Sequence, residues 1–102
     1  MEKRERHCVV TRIKDDKKEE YEKLHNEIWE EVVENAHKYG LRNYSIFIFE
    51  NYYISYFEYI GTDYERDMAE KNNLPIMKKW KALCDECYEI CSVPELMFHH
   101  NF

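Results

Sequence analysis

The sequence predicts an α+β fold in which four antiparallel strands form one sheet with helices packed on one face. Three observations support this. Two aromatic and β-branched runs, residues 43–49 and 52–59, flank Glu50-Asn51, which is the pattern of a β-hairpin. Two long stretches, residues 16–39 and 74–90, place their apolar residues at helical spacing instead. Read along the chain, the elements run β-α-β-β-α-α-β, which is the ferredoxin-like plan.

Each element has a local reason. Residues 7–13 read as a strand because Val9, Val10, Thr11 and Ile13 are β-branched and charged residues follow. Residues 16–39 read as one helix, with Tyr21, Leu24, Ile28, Val32 and Ala36 along its apolar stripe. Gly40 stands where a C-terminal cap belongs. In the hairpin turn, Asn51 is the residue suited to a left-handed conformation. Gly61-Thr62-Asp63 ends the second hairpin strand and caps a short helix over residues 64–71. Pro75 falls in the first turn of the helix over 74–90, Pro94 follows its end, and residues 96–100 read as the last strand.

The hairpin has two apolar faces. Tyr44, Ile46 and Ile48 alternate with Phe47 and Phe49, and Tyr53, Phe57 and Tyr59 alternate with Tyr52, Ile54 and Tyr56. Helices can cover only one of these faces. The other is expected to meet a partner subunit, to line a cavity, or both, and a homodimer is the expectation.

Length and charge narrow the classes of function. The 102 residues suit one domain, 1–102, and an apolar content of 44% is enough for a core. A net charge of −6 without a basic patch argues against nucleic-acid and anionic-membrane partners. No apolar run approaches the ~20 residues of a membrane span. The charged N-terminal stretch lacks the hydrophobic run of a signal peptide. A cytoplasmic location is therefore expected, with Cys8, Cys84, Cys87 and Cys91 as reduced thiols.

Tyr21, His25 and Trp29 recur every fourth residue, and each such step turns about 40° around a helix, so the three share a face. A phenol and an imidazole thus occupy the end of an otherwise aliphatic stripe. An imidazole there suits general acid–base chemistry. A hydrogen-bonded core histidine has the same spacing, and spacing alone leaves both readings open. Cys84-Asp-Glu-Cys87, followed by Cys91, has the spacing of a redox pair or half a zinc site. On a helix the same spacing places small apolar side chains on one buried face, and a zinc site needs four ligands, so packing is the reading adopted. His99 and His100 are adjacent on the expected strand and face opposite ways, so they do not enter one site together.

Several strings go further than periodicity. Tyr21-Glu-Lys-Leu-His25-Asn26-Glu27-Ile28-Trp29, the junction Asn43-Tyr44-Ser45-Ile46-Phe47, Trp80 in a later helix, and the closing Glu95-Leu-Met-Phe98 resemble the L-rhamnose mutarotase family. The resemblance runs over essentially the whole chain. It implies a dimeric α+β barrel and an isomerase of the aldose mutarotase type. Such an enzyme interconverts the α and β anomers of a 6-deoxy hexose, by default L-rhamnose, with L-fucose requiring only a few altered side chains. The family's proton donor falls on His25 and its sugar-binding tyrosines on Tyr21 and Tyr44. The family's adjacent tryptophan pair reads Lys79-Trp80 here, and its proline after His-Asn is Glu27.

Mutarotation suits these residue types. The ring oxygen gains a proton while the anomeric hydroxyl loses one, which requires no metal and no redox cofactor. An imidazole with a pKa near 6.5 populates both forms at neutral pH. His25 is the candidate to donate to the ring oxygen and recover that proton on closure. Tyr21 is the candidate for a hydrogen bond to a sugar hydroxyl. Tyr44 points into the same cavity or serves as a sheet aromatic; Trp80 offers an apolar plane to the sugar or packs in the core. Trp29 is a wall or core residue. Two other classes stand beside this one: another dimeric ferredoxin-like enzyme, such as a small monooxygenase or cyclase, and a noncatalytic metal- or redox-sensing module built on Cys84, Cys87, Cys91 and a histidine.

Overall fold

In the computed structural model, which describes residues 4–100, β1 (Glu5–Ile13) lies between β3 (Tyr52–Tyr59) and β4 (Tyr88–Ser92). β2 (Leu41–Phe49) pairs with the other edge of β3, giving the order β2-β3-β1-β4 with every pairing antiparallel. Residues 1–3, the start of the charged N-terminal stretch, and residues 101–102 lie outside the described residues. The predicted ferredoxin-like plan is the observed one. Thr11 and Ile13 on β1, and Tyr53, Ser55, Phe57 and Tyr59 on β3, point toward the helices and are buried. Their neighbours along each strand point to the uncovered face, as a pleat of period two requires. No helix among the described residues is long and apolar enough to cross a membrane.

The helix expected over residues 16–39 is interrupted. A 3-10 turn (Asp15–Lys17) leads into α1 (Lys18–Asn26), and a second helix, α2 (Glu30–Lys38), follows. Glu27 leaves the helical region at φ −112°, ψ 39°, and Trp29 is extended at φ −68°, ψ 138°. This break sets Trp29 edge-on against Trp80, with ring centroids 5.4 Å apart at 67°. It also turns Val32 of α2 into the core and leaves Ile28, expected on the buried stripe, exposed. Trp29 therefore reaches the core by a bend in the chain and not by helical phase.

The C-terminal third also departs from expectation. The helix expected over 74–90 is α4 (Pro75–Asp85), preceded by α3 (Tyr64–Asn72). After Asp85, the Cys87 N–H bonds to the Cys84 carbonyl and the Lys14 N–H bonds to the Cys87 carbonyl, steering the chain onto the free edge of β1. There Tyr88–Ser92 forms β4, and residues 96–100, expected as the last strand, have no regular structure. His99 and His100 accordingly stand on no strand. An unpaired sheet edge outcompetes continuation of a helix when the arriving residues are aromatic and β-branched.

Turn and cap chemistry holds with one exchange. Gly40 adopts φ 92° after α2, and its N–H bonds to the His37 carbonyl. Asp63 caps α3 by accepting from the Arg66 N–H at 3.1 Å. In the hairpin it is Glu50, not Asn51, that takes the left-handed conformation, at φ 56°. Asn51 is engaged elsewhere: its carbonyl accepts from the Ile13 N–H, and its side-chain amide donates to Asp15.

Candidate active site

Tyr21 and His25 lie one turn apart on α1, with ring centroids 4.4 Å apart. Beside them is a cavity of about 140 Å³, lined by Tyr21, Glu22, His25 and Asn26 of α1 and by Ile46, Ile48 and Tyr53 of the sheet. The one-turn repeat of α1 points these four helix residues toward the same strands.

His25 has a defined tautomer. Its Nδ1 lies 3.0 Å from the Tyr21 carbonyl oxygen. A carbonyl can only accept, so Nδ1 carries the proton and, in the neutral ring, Nε2 is left as an acceptor. Burial lowers the His25 pKa below its usual 6.5, partly opposed by the hydrogen bond to Tyr21. At neutral pH the ring is therefore uncharged, with its free lone pair on Nε2.

The His25 ring meets Tyr21 and Trp80, and further tyrosines pack against Tyr21. Tyr21 is buried and meets Tyr53 edge-on, with centroids 5.1 Å apart at 70°. Burial, reinforced by Tyr44 and Cys84, pushes the Tyr21 hydroxyl up to about 12, against the pull of Thr11 and Tyr88. The Tyr53 hydroxyl donates to Glu22 Oε2 at 2.5 Å, and burial, with that carboxylate behind it, raises its pKa. Burial also raises Tyr88, which adjoins Tyr21. All three remain protonated near neutrality; of these, Tyr21 and Tyr53 line the cavity, with the Tyr53 hydroxyl donating to Glu22.

Tyr44 reaches the helix-facing side through a β-bulge. Arg42 pairs with Glu58 and Ser45 with Tyr56, leaving Asn43 and Tyr44 together opposite Phe57. Asn43 is left-handed at φ 52°. The extra residue brings Tyr44, Ile46 and Ile48 onto the same side as Tyr53. The Tyr44 ring stacks on Phe57, with centroids 5.1 Å apart and planes within 5°. It is 53% exposed, although burial around its hydroxyl raises the phenol pKa, with Ser55 opposing.

The four residues singled out from sequence thus divide into two pairs. Tyr21 and His25 line the cavity. Tyr44 stands on the same face as Ile46 without lining the cavity, and Trp80 is buried behind it, edge-on to His25 at 5.5 Å. Glu22 and Asn26 were missed, although they repeat the Tyr21–His25 spacing one residue later. Tyr53 was read only as one of a row of apolar side chains; its hydroxyl was the overlooked signal. Cys84 and Cys87 are buried in the core, as packing requires, and burial raises both thiols, Cys84 to about 12. Cys91 is exposed on β4, so the three cysteines do not share a face.

The architecture defines the chain as a ferredoxin-like α+β protein. It superposes on tetracenomycin F2 cyclase from Streptomyces glaucescens with a TM-score of 0.73 at 14% identity, covering 96% of this chain and 98% of that one. With L-rhamnose mutarotase FA22100 from Formosa agariphila the TM-score is 0.75 at 23% identity, covering 95% and 99%. At these identities the likeness is one of fold. Sequence discriminates further, since residues 6–98 match the model of the L-rhamnose mutarotase family. The chain belongs to that family, whose members are isomerases acting on sugar anomers. The L-rhamnose mutarotase of Lachnoclostridium phytofermentans is 40% identical over 70 residues, covering 69% of this chain and 66% of that protein, just under two thirds of its length. That of Mesorhizobium japonicum is 32% identical over 105 residues, covering 93% and 96%.

Proposed function

We propose that the protein interconverts the α and β anomers of a 6-deoxy hexose, L-rhamnose first, with His25 Nε2 as the proton carrier. The observation that supports this most directly is an imidazole with Nδ1 held by a backbone carbonyl and Nε2 free, in a cavity it shares with Tyr21, Tyr53, Glu22 and Asn26. Family membership supports the sugar.

The chemistry follows from the resting form. The anomeric hydroxyl oxygen and the ring oxygen are bonded to the same carbon, so one nitrogen set between them can serve both. Neutral His25 takes the anomeric proton at Nε2 as the bond from that carbon to the ring oxygen breaks and the aldehyde forms. The imidazolium so generated gives the proton to the departing ring oxygen. Rotation of the aldehyde and the reverse transfers close the ring on its other face. Atoms and protons balance without any co-reactant. General acid–base help of this kind is worth about 10²–10⁴-fold.

Tyr21 and Tyr44 supply hydrogen bonds to sugar hydroxyls, and Trp80 backs the His25 ring and fixes its plane. The working form is a homodimer. On the sheet face away from the helices, Phe47 and Phe49 are 62% and 66% exposed, beside Tyr52 and Ile90. Arg12, ion-paired to Glu89, lies between Tyr52 and Ile90, so the exposed apolar surface is centred on the β2–β3 edge, and a second subunit would cover it there.

The test is exchange NMR of anomer interconversion with L-rhamnose, L-fucose and D-glucose, for the unaltered protein and His25→Ala. Enzyme-dependent exchange of a deoxy sugar that falls at least about 100-fold in the mutant is the expected result. Folded protein that accelerates none of these sugars overturns the assignment.

A further inference from the structure

Glu58 lies on β3 opposite Arg42, on the sheet face turned away from the helices and from the cavity. Its side chain is only 13% exposed. Three groups donate to its carboxylate: Arg4 Nη1 at 2.5 Å and Asn43 Nδ2 at 2.7 Å to Oε1, and the Tyr56 hydroxyl at 2.7 Å to Oε2. The Asn43 bond has a consequence on the opposite face, because Asn43 is the left-handed residue of the β2 bulge.

A residue with a Cβ enters the left-handed region only at a cost, which asparagine bears best when its amide has a local partner. An ionised carboxylate is a strong partner for that amide. Side chains alternate with a period of two, so one extra residue inverts the facing of everything that follows it. With the bulge, Tyr44, Ile46 and Ile48 face the helices, and Ser45, Phe47 and Phe49 face outward. A strand paired without it would present the opposite set.

We propose that Glu58 is a positioning residue for Tyr44: by holding Asn43 left-handed it fixes the bulge that turns the Tyr44 phenol onto the cavity side of the sheet. Any effect on turnover rests on the reading of Tyr44 as a sugar-binding residue, whereas the positioning does not. The hydrogen bonds from Tyr56, Asn43 and Arg4 hold the Glu58 pKa down to about 2, so the anchor stays ionised at any working pH.

The experiment places 3-fluorotyrosine at position 44 alone and follows its ¹⁹F resonance, which senses the ring current of the stacked Phe57. Folding is verified by circular dichroism. In Glu58→Ala the resonance moves toward its denatured position. In Asn43→Val, whose β-branched side chain resists positive φ, it does the same. It stays in place in Glu58→Gln, which keeps an amide oxygen to accept from Asn43, and in Asn43→Gly, which enters that region freely. Anomer exchange in Glu58→Ala falls by the same factor as in Tyr44→Phe, roughly ten-fold for one hydrogen bond, and no further in the double variant. An unchanged resonance in folded Glu58→Ala overturns the proposal, whether or not exchange is lost and whether or not Asn43→Val shifts it. A displaced resonance with undiminished exchange upholds the positioning and removes Tyr44 from the sugar site. Should Glu58→Ala not fold, Glu58→Thr, a strand-favouring residue too short to reach the Asn43 amide, is read in its place by the same shift.

Discussion

Replacing Glu22 with alanine removes the carboxylate that accepts from the Tyr53 hydroxyl at 2.5 Å. The Tyr53 ring is among the most completely buried side chains of the protein, while its hydroxyl sits at the cavity wall beside Glu22, so water in the cavity replaces the lost partner only in part. An unsatisfied buried donor costs about 1–3 kcal/mol. For a domain of this size that lowers Tm by about 4–8 °C per kcal/mol. Tyr53→Phe removes the donor itself and frees Glu22, which is not fully buried, to be hydrated, so its cost is expected below that of Glu22→Ala. The informative comparison is the pair. Adding Glu22→Ala to the Tyr53→Phe background should cost almost nothing, because the orphaned group is already gone. Urea unfolding followed by far-UV circular dichroism on all four proteins gives the coupling. The reasoning is refuted if Glu22→Ala alone lies within about 0.5 kcal/mol of the parent, or if the two substitutions are additive.

Burial lowers the His25 pKa below 6.5, and the neutral form is the proposed resting state. The kcat/KM for anomer exchange should therefore hold level above neutrality and fall as pH drops through that lowered value; a decline with rising pH instead would mark the imidazolium as the active form. Tyr21 is raised from 10.0 to about 12 in the folded state, so its contribution is complete below pH 10 and is lost as pH rises. Unfolding free energy should fall by about 1.4 kcal/mol per pH unit between 10 and 12 from this group alone, and Tyr21→Phe should flatten that slope. Phe47→Asp places a charge on the uncovered sheet face and should yield a folded monomer if the proposed dimer forms there, read by light scattering against the parent; a parent dimer that persists in the variant would place the interface elsewhere. A Cβ at Gly61 would fall on the Tyr59 ring, whose hydroxyl donates to Asp67 and accepts from the Asp63 N–H. Gly61→Ala should cost about 1–3 kcal/mol in chemical unfolding, and a neutral result would show that the ring can move aside.

What the sequence determined by itself was local. The hairpin and the alternation along β3 follow from period-two patterning, and the caps at Gly40 and Asp63 from backbone chemistry at single positions. The Tyr21–His25 pair follows from one turn of one helix, within which spacing and geometry are the same fact. The tertiary structure decided whatever depended on a partner distant in sequence. Helical periodicity runs without interruption through residues 27–29, yet the chain leaves the helix there to set Trp29 against Trp80. The same periodicity runs past Asp85, yet the open edge of β1 draws Tyr88–Ser92 into the sheet. Nothing local to Tyr44 says which face it takes, because a bulge one residue earlier sets it, and that bulge is bonded to Glu58 on the neighbouring strand. Periodicity reports how residues stand relative to others in their own element. Where an element stops, and which face its side chains finally present, is settled by competition with pairing and packing across the fold.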